Sequence, residues 1–417
     1  MFLLLTLGVL FNSLGLSFLS PRFHVRRSRM NMANEGYAPP IDLELEEMIE
    51  KLAAEKVKEK SRKPLSGTIA CVTGASRGIG KGIALGLAEQ GATIYVSGRS
   101  SSSGDCTDPK LGGDLDTVVK EVAALGGKGI AVKCNHNNEE EVKALFERID
   151  SEQGRLDILV NNAFQVPQRP DGLEDKDLLF RDFWEQPGWY WDAITDVGVK
   201  SHYLSSVYGA PIMIRTARDV DSNTDNDYDK KVKKSKKPLI VMISSFGGIS
   251  YSFNVAYGVG KAAVDRMATD MSRELAKHQV NCISLYPGVV RTEKMMDMLD
   301  SGEYERRTGL ATPSEIVESP LLQGRVIASL YLDEDSSMSK SNGNILITAE
   351  VAKKNNVIDK NGMIPPSIRS LKWLIPSLVL HSDFGKKLSG SVKSNLINNT
   401  PDWLLPLSVM KGGPPDS

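Results

Sequence analysis

The 417-residue chain is 41% hydrophobic and 25% charged, with a formal net charge of −1, a balance that fits a globular protein with one large α/β domain or two smaller ones. Balanced charge excludes nucleic acid as an expected partner. The four cysteines (Cys71, Cys106, Cys134, Cys282) are dispersed with no C-x-x-C pair, so neither a metal site nor a disulfide framework is expected, and Cys71, Cys134 and Cys282 read as buried thiols.

In chain order, residues 1–20 are uncharged and apolar, and a basic stretch follows with Arg22, Arg26, Arg27 and Arg29. The apolar part is short for a membrane span and suits a signal-peptide core, and the acid-free part resembles a transit peptide. With Phe18 near the join, the two together are similar to the bipartite presequences of plastids bounded by extra membranes. Residues 1–30 are therefore read as a targeting segment, and endoplasmic reticulum or secretory entry, plastid import and a retained anchor all stay open. Ile41, Leu45, Met48 and Leu52 fall at helical spacing, which predicts an amphipathic linker helix within 31–64, and Pro64 and Gly67 mark a boundary.

From Thr68 short apolar runs alternate with helical stretches. Strands are expected at 68–73, 93–97, 129–134, 156–161, 239–244, 280–286 and 343–348. Helices are expected near 79–90, 114–125, 138–152, 189–215, 255–277 and 312–330. Near-continuous Val/Ile/Leu runs imply strands buried on both faces, hence a parallel sheet of about seven strands. Alternation with helices makes this an α/β, three-layer, Rossmann-type doubly wound domain over 65–350. Within it, 218–237 is a charged insertion. Asp225, Asp227 and Asp229 open a calcium-loop pattern there, but Lys230 and Lys236 stand where glycine and glutamate belong, so a solvated loop is expected. Residues 351–417 form a C-terminal extension. Its apolar pieces around Trp373 and at 401–407 are broken by prolines, and three roles stay open: covering the sheet edge, lying on a membrane surface, or contacting a partner.

The chemistry concentrates at "TGASRGIG", Thr73 to Gly80, between the first strand and the first helix. Gly74 permits a tight turn, Gly78 lets backbone approach a pyrophosphate, and Gly80 lets helix and strand pack closely. The helix N-terminus offers N–H groups and partial positive charge to phosphates. Farther on, Tyr257 and Lys261 lie four apart and share a helix face. A phenol of pKa ~10 exchanges protons poorly at neutral pH, and a neighbouring ammonium favours the phenolate. An apolar strand ending in Ser244 and Ser245 precedes them.

Together these motifs resemble the short-chain dehydrogenase/reductase family over roughly Gly67 to Thr348, with "NNA" at 161–163 and "PGVVRT" at 287–292 adding to the likeness. The resemblance implies that Tyr257 is the general acid/base, that Lys261 lowers its pKa and binds the nicotinamide ribose, and that a serine hydroxyl steadies the substrate oxygen. Family spacing points to Ser244; the Ser-x-x-Gly context, with Gly248 following, points to Ser245 and is favoured. Cofactor contacts are expected from Gly74, Ser76, Arg77, Gly78, Ile79, Gly80, Arg99, Asn135, Asn161, Pro287, Gly288, Val290 and Thr292. Of these, Asn161 would border the adenine-ribose side and Thr292 would hold the carboxamide.

The second strand ends in Ser97, Gly98 and Arg99 with no carboxylate for a ribose 2′-hydroxyl, and Arg77 lies nearby. NADP(H) is therefore expected over NAD(H). Three positions depart from the family pattern: Asn135 replaces an aspartate, Phe164 replaces the glycine of "NNAG", and Gly198 stands where a helix asparagine often completes a tetrad. Two outcomes stay open there: a water or backbone carbonyl relays protons instead, or activity is modest. His136 and His202 read as structural or solvated, not as bases. The expected activity is hydride transfer to or from a small-molecule carbonyl or alcohol (ketone, aldehyde, steroid or lipid-like). The resemblance also makes a homo-oligomer the expected assembly. The competing reading is a nucleotide-binding sensor or scaffold with little turnover, supported by Gly198 and opposed by the intact Ser/Tyr/Lys set. A third reading, a membrane-associated interaction module using the C-terminal Trp/Leu pieces, is compatible with the enzyme, and peripheral membrane contact through either terminal apolar segment stays open.

Overall fold

Successive side chains of a strand point to opposite faces of its sheet, and the buried residues here sort that way. Ala70, Val72, Ile94, Val96, Ile158, Val160, Val241, Ile243, Ile283 and Leu285 enter one apolar core. Their neighbours Ile69, Cys71, Tyr95, Leu159, Ile240, Met242 and Cys282 enter a second core on the other face. The structure, a computed structural model, describes residues 63–105, 111–165, 178–222, 236–313, 316–333 and 340–407. The targeting segment, the linker helix, Cys106, most of the charged insertion and the chain's last ten residues lie outside them.

Strands β1 (Ile69–Val72), β2 (Thr93–Gly98), β3 (Lys128–Lys133), β4 (Ile158–Asn161), β5 (Leu239–Ile243), β6 (Asn281–Tyr286) and β7 (Ile345–Ile347) form one sheet in the order β3-β2-β1-β4-β5-β6-β7. Every pair is parallel. Helices α1 (Gly78–Glu89) and α2 (Leu115–Ala124) cover the first core; α3 (Glu139–Gln153) covers the second. The strand order reverses between β1 and β4, so a crevice opens at their carboxyl ends. The loops carrying Thr73–Arg77 and Asn162–Phe164 meet there.

The expected helix over 189–215 is two helices, α4 (Gly188–Thr195) and α5 (Ser201–Ser222), joined by a wide turn at Asp196–Lys200. Gly198, at φ 150, makes the break, because that backbone region excludes an ordinary side chain. Helix α6 (Val255–Leu275) follows β5 and packs with α5 on the second core.

After β6 come α7 (Glu293–Asp300), α8 (Glu303–Thr308) and α9 (Pro320–Leu332), the last packed on α1 and tied to it by a bidentate Arg325–Glu89 ion pair at 2.7 Å. The expected helix over 312–330 thus starts later, at a proline that suits a first turn.

The extension follows β7 as α10 (Thr348–Lys354), α11 (Leu371–His381), α12 (Asp383–Lys386) and α13 (Gly390–Asn399). Trp373 of α11 and Ile397 of α13 are buried in a third apolar cluster with Val289, Met298, Tyr304, Ile316 and Val317. The extension therefore covers the segment after β6, above the carboxyl end of the sheet. No helix among the described residues is long and apolar enough to cross a membrane.

Candidate active site

Thr73 organises the glycine loop from below. Its hydroxyl accepts the N–H groups of Asn162 (2.9 Å) and Ala163 (3.0 Å) and donates to the Val160 carbonyl. Gly74 sits at φ 65, and a Cβ there would lie 2.7 Å from the Ala163 Cα. A Cβ on Gly80 would lie 2.3 Å from the Gly74 carbonyl oxygen, so only glycine lets α1 start this close to β1. The first turn of α1 has no acidic residue and no side-chain cap. Instead, the Gly78 N–H donates to the Glu293 carboxylate at 3.0 Å. A carboxylate oxygen there stands in for an anionic ligand's oxygen, and shows that the loop's geometry accepts one. The loop thus fits a dinucleotide pyrophosphate.

Asn161 is turned away from this loop. It is fully buried, and its amide donates to Ser206 Oγ (2.9 Å) and meets Met242 Sδ (3.3 Å) on the α5 side. The next residue points oppositely, and it is the Asn162 amide that braces the loop, donating to the Thr73 and Gly74 carbonyls at 2.8 and 3.0 Å. Ser76 lies beside Gly98, and Ile79 packs against the first core.

At the end of β2, the Ser97 hydroxyl is 2.9 Å from His136 Nε2, and both residues are buried. Burial and then the Arg99 charge hold the His136 pKa down at about 4, so this imidazole is neutral at working pH. Arg99 is exposed, and its pKa is lowered by partial desolvation and by the charge of Arg77. The two arginines therefore share one corner, with Arg77 Nη1 donating to the Gly112 carbonyl at 2.7 Å. Asn135 is half-buried after β3, its Oδ1 accepting the Asn137 N–H.

Across the crevice, the Asn254 side chain caps α6 by accepting the Tyr257 N–H at 2.9 Å, and its amide donates to the Leu179 carbonyl and to the Tyr190 hydroxyl. This fixes the helix start from which Tyr257 projects. The Tyr257 hydroxyl lies 2.9 Å from Ser245 Oγ. Ser244 instead donates to the Lys261 carbonyl and is buried, so Ser245 is the serine that meets the phenol.

The Tyr257 ring is half-buried, but its hydroxyl lies among protein atoms, and desolvation there pushes the phenol up while Ser245 pulls it down. The lowering expected from Lys261 is not seen in this geometry. The Lys261 ammonium donates to the Ile243 carbonyl at 3.2 Å and stands 5.8 Å from the Tyr257 ring centre, not at its hydroxyl. Burial brings Lys261 down to about 8, and Asp265, one turn farther along α6, opposes that fall. Asp265 is itself held by the hydroxyls of Ser284 (2.6 Å) and Tyr286.

The loop after β6 completes the crevice. Pro287 and Val290 are buried, Gly288 donates its N–H to Glu318 at 3.0 Å, and Thr292 caps α7 with its methyl facing Gly78. Glu318 is fully enclosed, and desolvation raises it to about 7. His202 is also buried, its Nε2 3.0 Å from the Ala163 carbonyl; desolvation holds it down at about 3 and the Lys261 charge adds to that. Both histidines are thus neutral structural groups.

A short-chain dehydrogenase family model matches residues 68–220 and 223–302, more than half of the chain and every motif above from Thr73 to Thr292. The chain belongs to the short-chain dehydrogenase/reductase family. Dehydrogenase/reductase SDR family member 1 of Mus musculus is 38% identical over 303 residues, covering 72% of this chain and 85% of the relative. Its Homo sapiens namesake is 35% identical over 352 residues, covering 84% and 99%. Among solved structures, a putative dehydrogenase from Xanthomonas campestris aligns with TM-score 0.53 at 21% identity, covering 72% of this chain and 94% of that one, a likeness of fold. As a short-chain dehydrogenase/reductase, the protein is an NAD(P)-dependent oxidoreductase.

Several residues of this site escape a reading of the sequence. Asn162, Asn254, Asp265, Glu293 and Glu318 act through contacts with distant segments; only Asp265, one helical turn from Lys261, carried a local signal. Aromatic rings also collect around the Tyr257 ring: Phe164 at 5.9 Å and Phe253 at 5.0 Å between centroids, both edge-on, with Phe180 against Phe253. Phe253 holds φ 62, a strained conformation for a phenylalanine, immediately before the Asn254 cap.

Proposed function

We propose that this short-chain dehydrogenase/reductase interconverts a hydrophobic carbonyl compound and its alcohol with NADP(H), using Tyr257, Ser245 and Lys261. The observation that carries the reading is the 2.9 Å contact between the Tyr257 and Ser245 hydroxyls, one helical turn from Lys261. In the reductive direction the Tyr257 hydroxyl donates its proton to the substrate oxygen, and Ser245 donates a hydrogen bond to that oxygen as charge develops. Lys261 keeps a positive charge beside the phenol. The nicotinamide, when bound, supplies or accepts the hydride. Gly74, Gly78 and Gly80 would hold its pyrophosphate, and the Pro287–Thr292 loop its carboxamide.

The Arg77–Arg99 corner at the end of β2 supports NADP(H), since two cations and no carboxylate suit a 2′-phosphate. The rings of Phe164, Phe180 and Phe253 support an apolar substrate. The test is oxidation of NADPH and of NADH by the purified full chain against a panel of ketones, aldehydes, steroids and lipid carbonyls. Faster turnover with NADPH, at least ten-fold weakened by Arg99→Asp, is expected. Tight NADPH binding without turnover on any carbonyl would favour a nucleotide sensor instead, and preference for NADH would overturn the arginine argument.

A further inference from the structure

Phe164 and Gly198, two of the three positions that depart from the family pattern, touch each other. A Cβ on Gly198 would lie 3.0 and 3.4 Å from two edge carbons of the Phe164 ring, so the glycine leaves the notch in which the ring sits. The loop and the turn are also joined by the Gln165 N–H donating to the Val197 carbonyl at 3.2 Å. The face of the same ring lies 4.9 Å from the Lys261 ammonium, and its plane stands at 90° to the Tyr257 ring.

Burial makes the ring contact matter for Lys261. An ammonium has three N–H donors, and burying them unmatched is costly. Lys261 is buried, and its ammonium donates to the Ile243 carbonyl at 3.2 Å. The charged or titratable groups facing it are Asp265 and Tyr257 from its own helix, His202 from α5, and Tyr286 from β6 behind Asp265. His202 is neutral and Asp265 is already shared by two hydroxyls, so neither fills the side of the ammonium that the ring covers. The negative face of an aromatic ring attracts a cation most where water is scarce.

We infer that Phe164 is a positioning residue that holds the Lys261 ammonium beside Tyr257 through its ring face, in a seat that Gly198 keeps open. The negative face of the ring thereby gives the buried charge a partner and favours the protonated lysine. This rests on the proposed role of Tyr257 and Lys261 only for its effect on rate; the hold on the ammonium is a separate property of the folded chain.

The test uses the full chain and three variants: Phe164→Leu, which keeps apolar bulk without a π face, Phe164→Tyr, which restores the face, and Gly198→Ala, which fills the seat. The Lys261 titration is read by pH-dependent acylation of the amine with mass-spectrometric quantitation, and the pH profile of kcat/KM is recorded beside it. Phe164→Leu is expected to lower the proton affinity of Lys261 about tenfold, a shift of about one pH unit. Phe164→Tyr should restore it, and Gly198→Ala should lower it in the same direction as Phe164→Leu. An unchanged Lys261 titration in Phe164→Leu, with Phe164→Tyr equally unchanged, overturns the inference. If the titration moves as expected but no variant or parent turns over any carbonyl, the inference stands and the catalytic reading fails.

Discussion

The Glu293 carboxylate accepts the Gly78 N–H at 3.0 Å, so a side chain at the start of α7 rests on the anion-binding end of α1, 215 residues away in sequence. A dinucleotide phosphate bound there would compete with this carboxylate for the same N–H and the same partial positive charge. Removing the charge while keeping an acceptor should favour the cofactor. Glu293→Gln is expected to tighten NADP(H) binding roughly two- to fivefold, the range of a charge at a helix N-terminus. Isothermal titration calorimetry on both proteins decides it; equal or weaker binding by the variant contradicts competition.

Lys261 sets the expected pH dependence. Its conjugate acid falls from the usual 10.5 to about 8, so the ammonium is fully present below that value and is lost as pH rises through it. Tyr257 moves the other way and stays protonated over the same range. For carbonyl reduction, kcat/KM, which reports the free enzyme, should therefore be level below about pH 8 and fall above it. A profile flat to pH 10 would show that the Lys261 charge has no part in the rate.

Trp373 ties the C-terminal extension to the site. It is buried against a cluster holding Val289 of the loop after β6 and Met298 of α7. Trp373→Ala should cost about 3–5 kcal/mol, the usual loss for a buried large aromatic, and should raise KM as α7 loses its support. Thermal unfolding and steady-state kinetics measure both. An unchanged melting temperature would mean that the extension packs elsewhere.

The parts of this account legible in the sequence are those whose signal is local. Gly74, Gly78 and Gly80 are read from a spacing within one turn and helix start, Tyr257 and Lys261 from one helical turn, and the parallel sheet from short runs of Val, Ile and Leu. The choice between Ser244 and Ser245 was not local: it depends on which hydroxyl the strand end aims at Tyr257. The Asn161 side chain is turned from the loop because a one-residue step along a strand reverses the face, placing Asn162 on the loop. The break at Gly198 was hidden by helical patterning on both sides. Contacts such as Glu318 with Gly288, or Phe164 with Lys261, join segments that only the finished fold brings together.

The central claim is that the Tyr257 hydroxyl moves the proton. Tyr257→Phe keeps the ring, its packing against Phe253 and the capped start of α6, and removes only that oxygen. Single-turnover oxidation of bound NADPH with the best carbonyl of the panel, for parent and variant, measures the step directly. A loss of about 10²- to 10⁴-fold in the variant, with NADPH binding unchanged, is expected. Equal rates in the two proteins would contradict it.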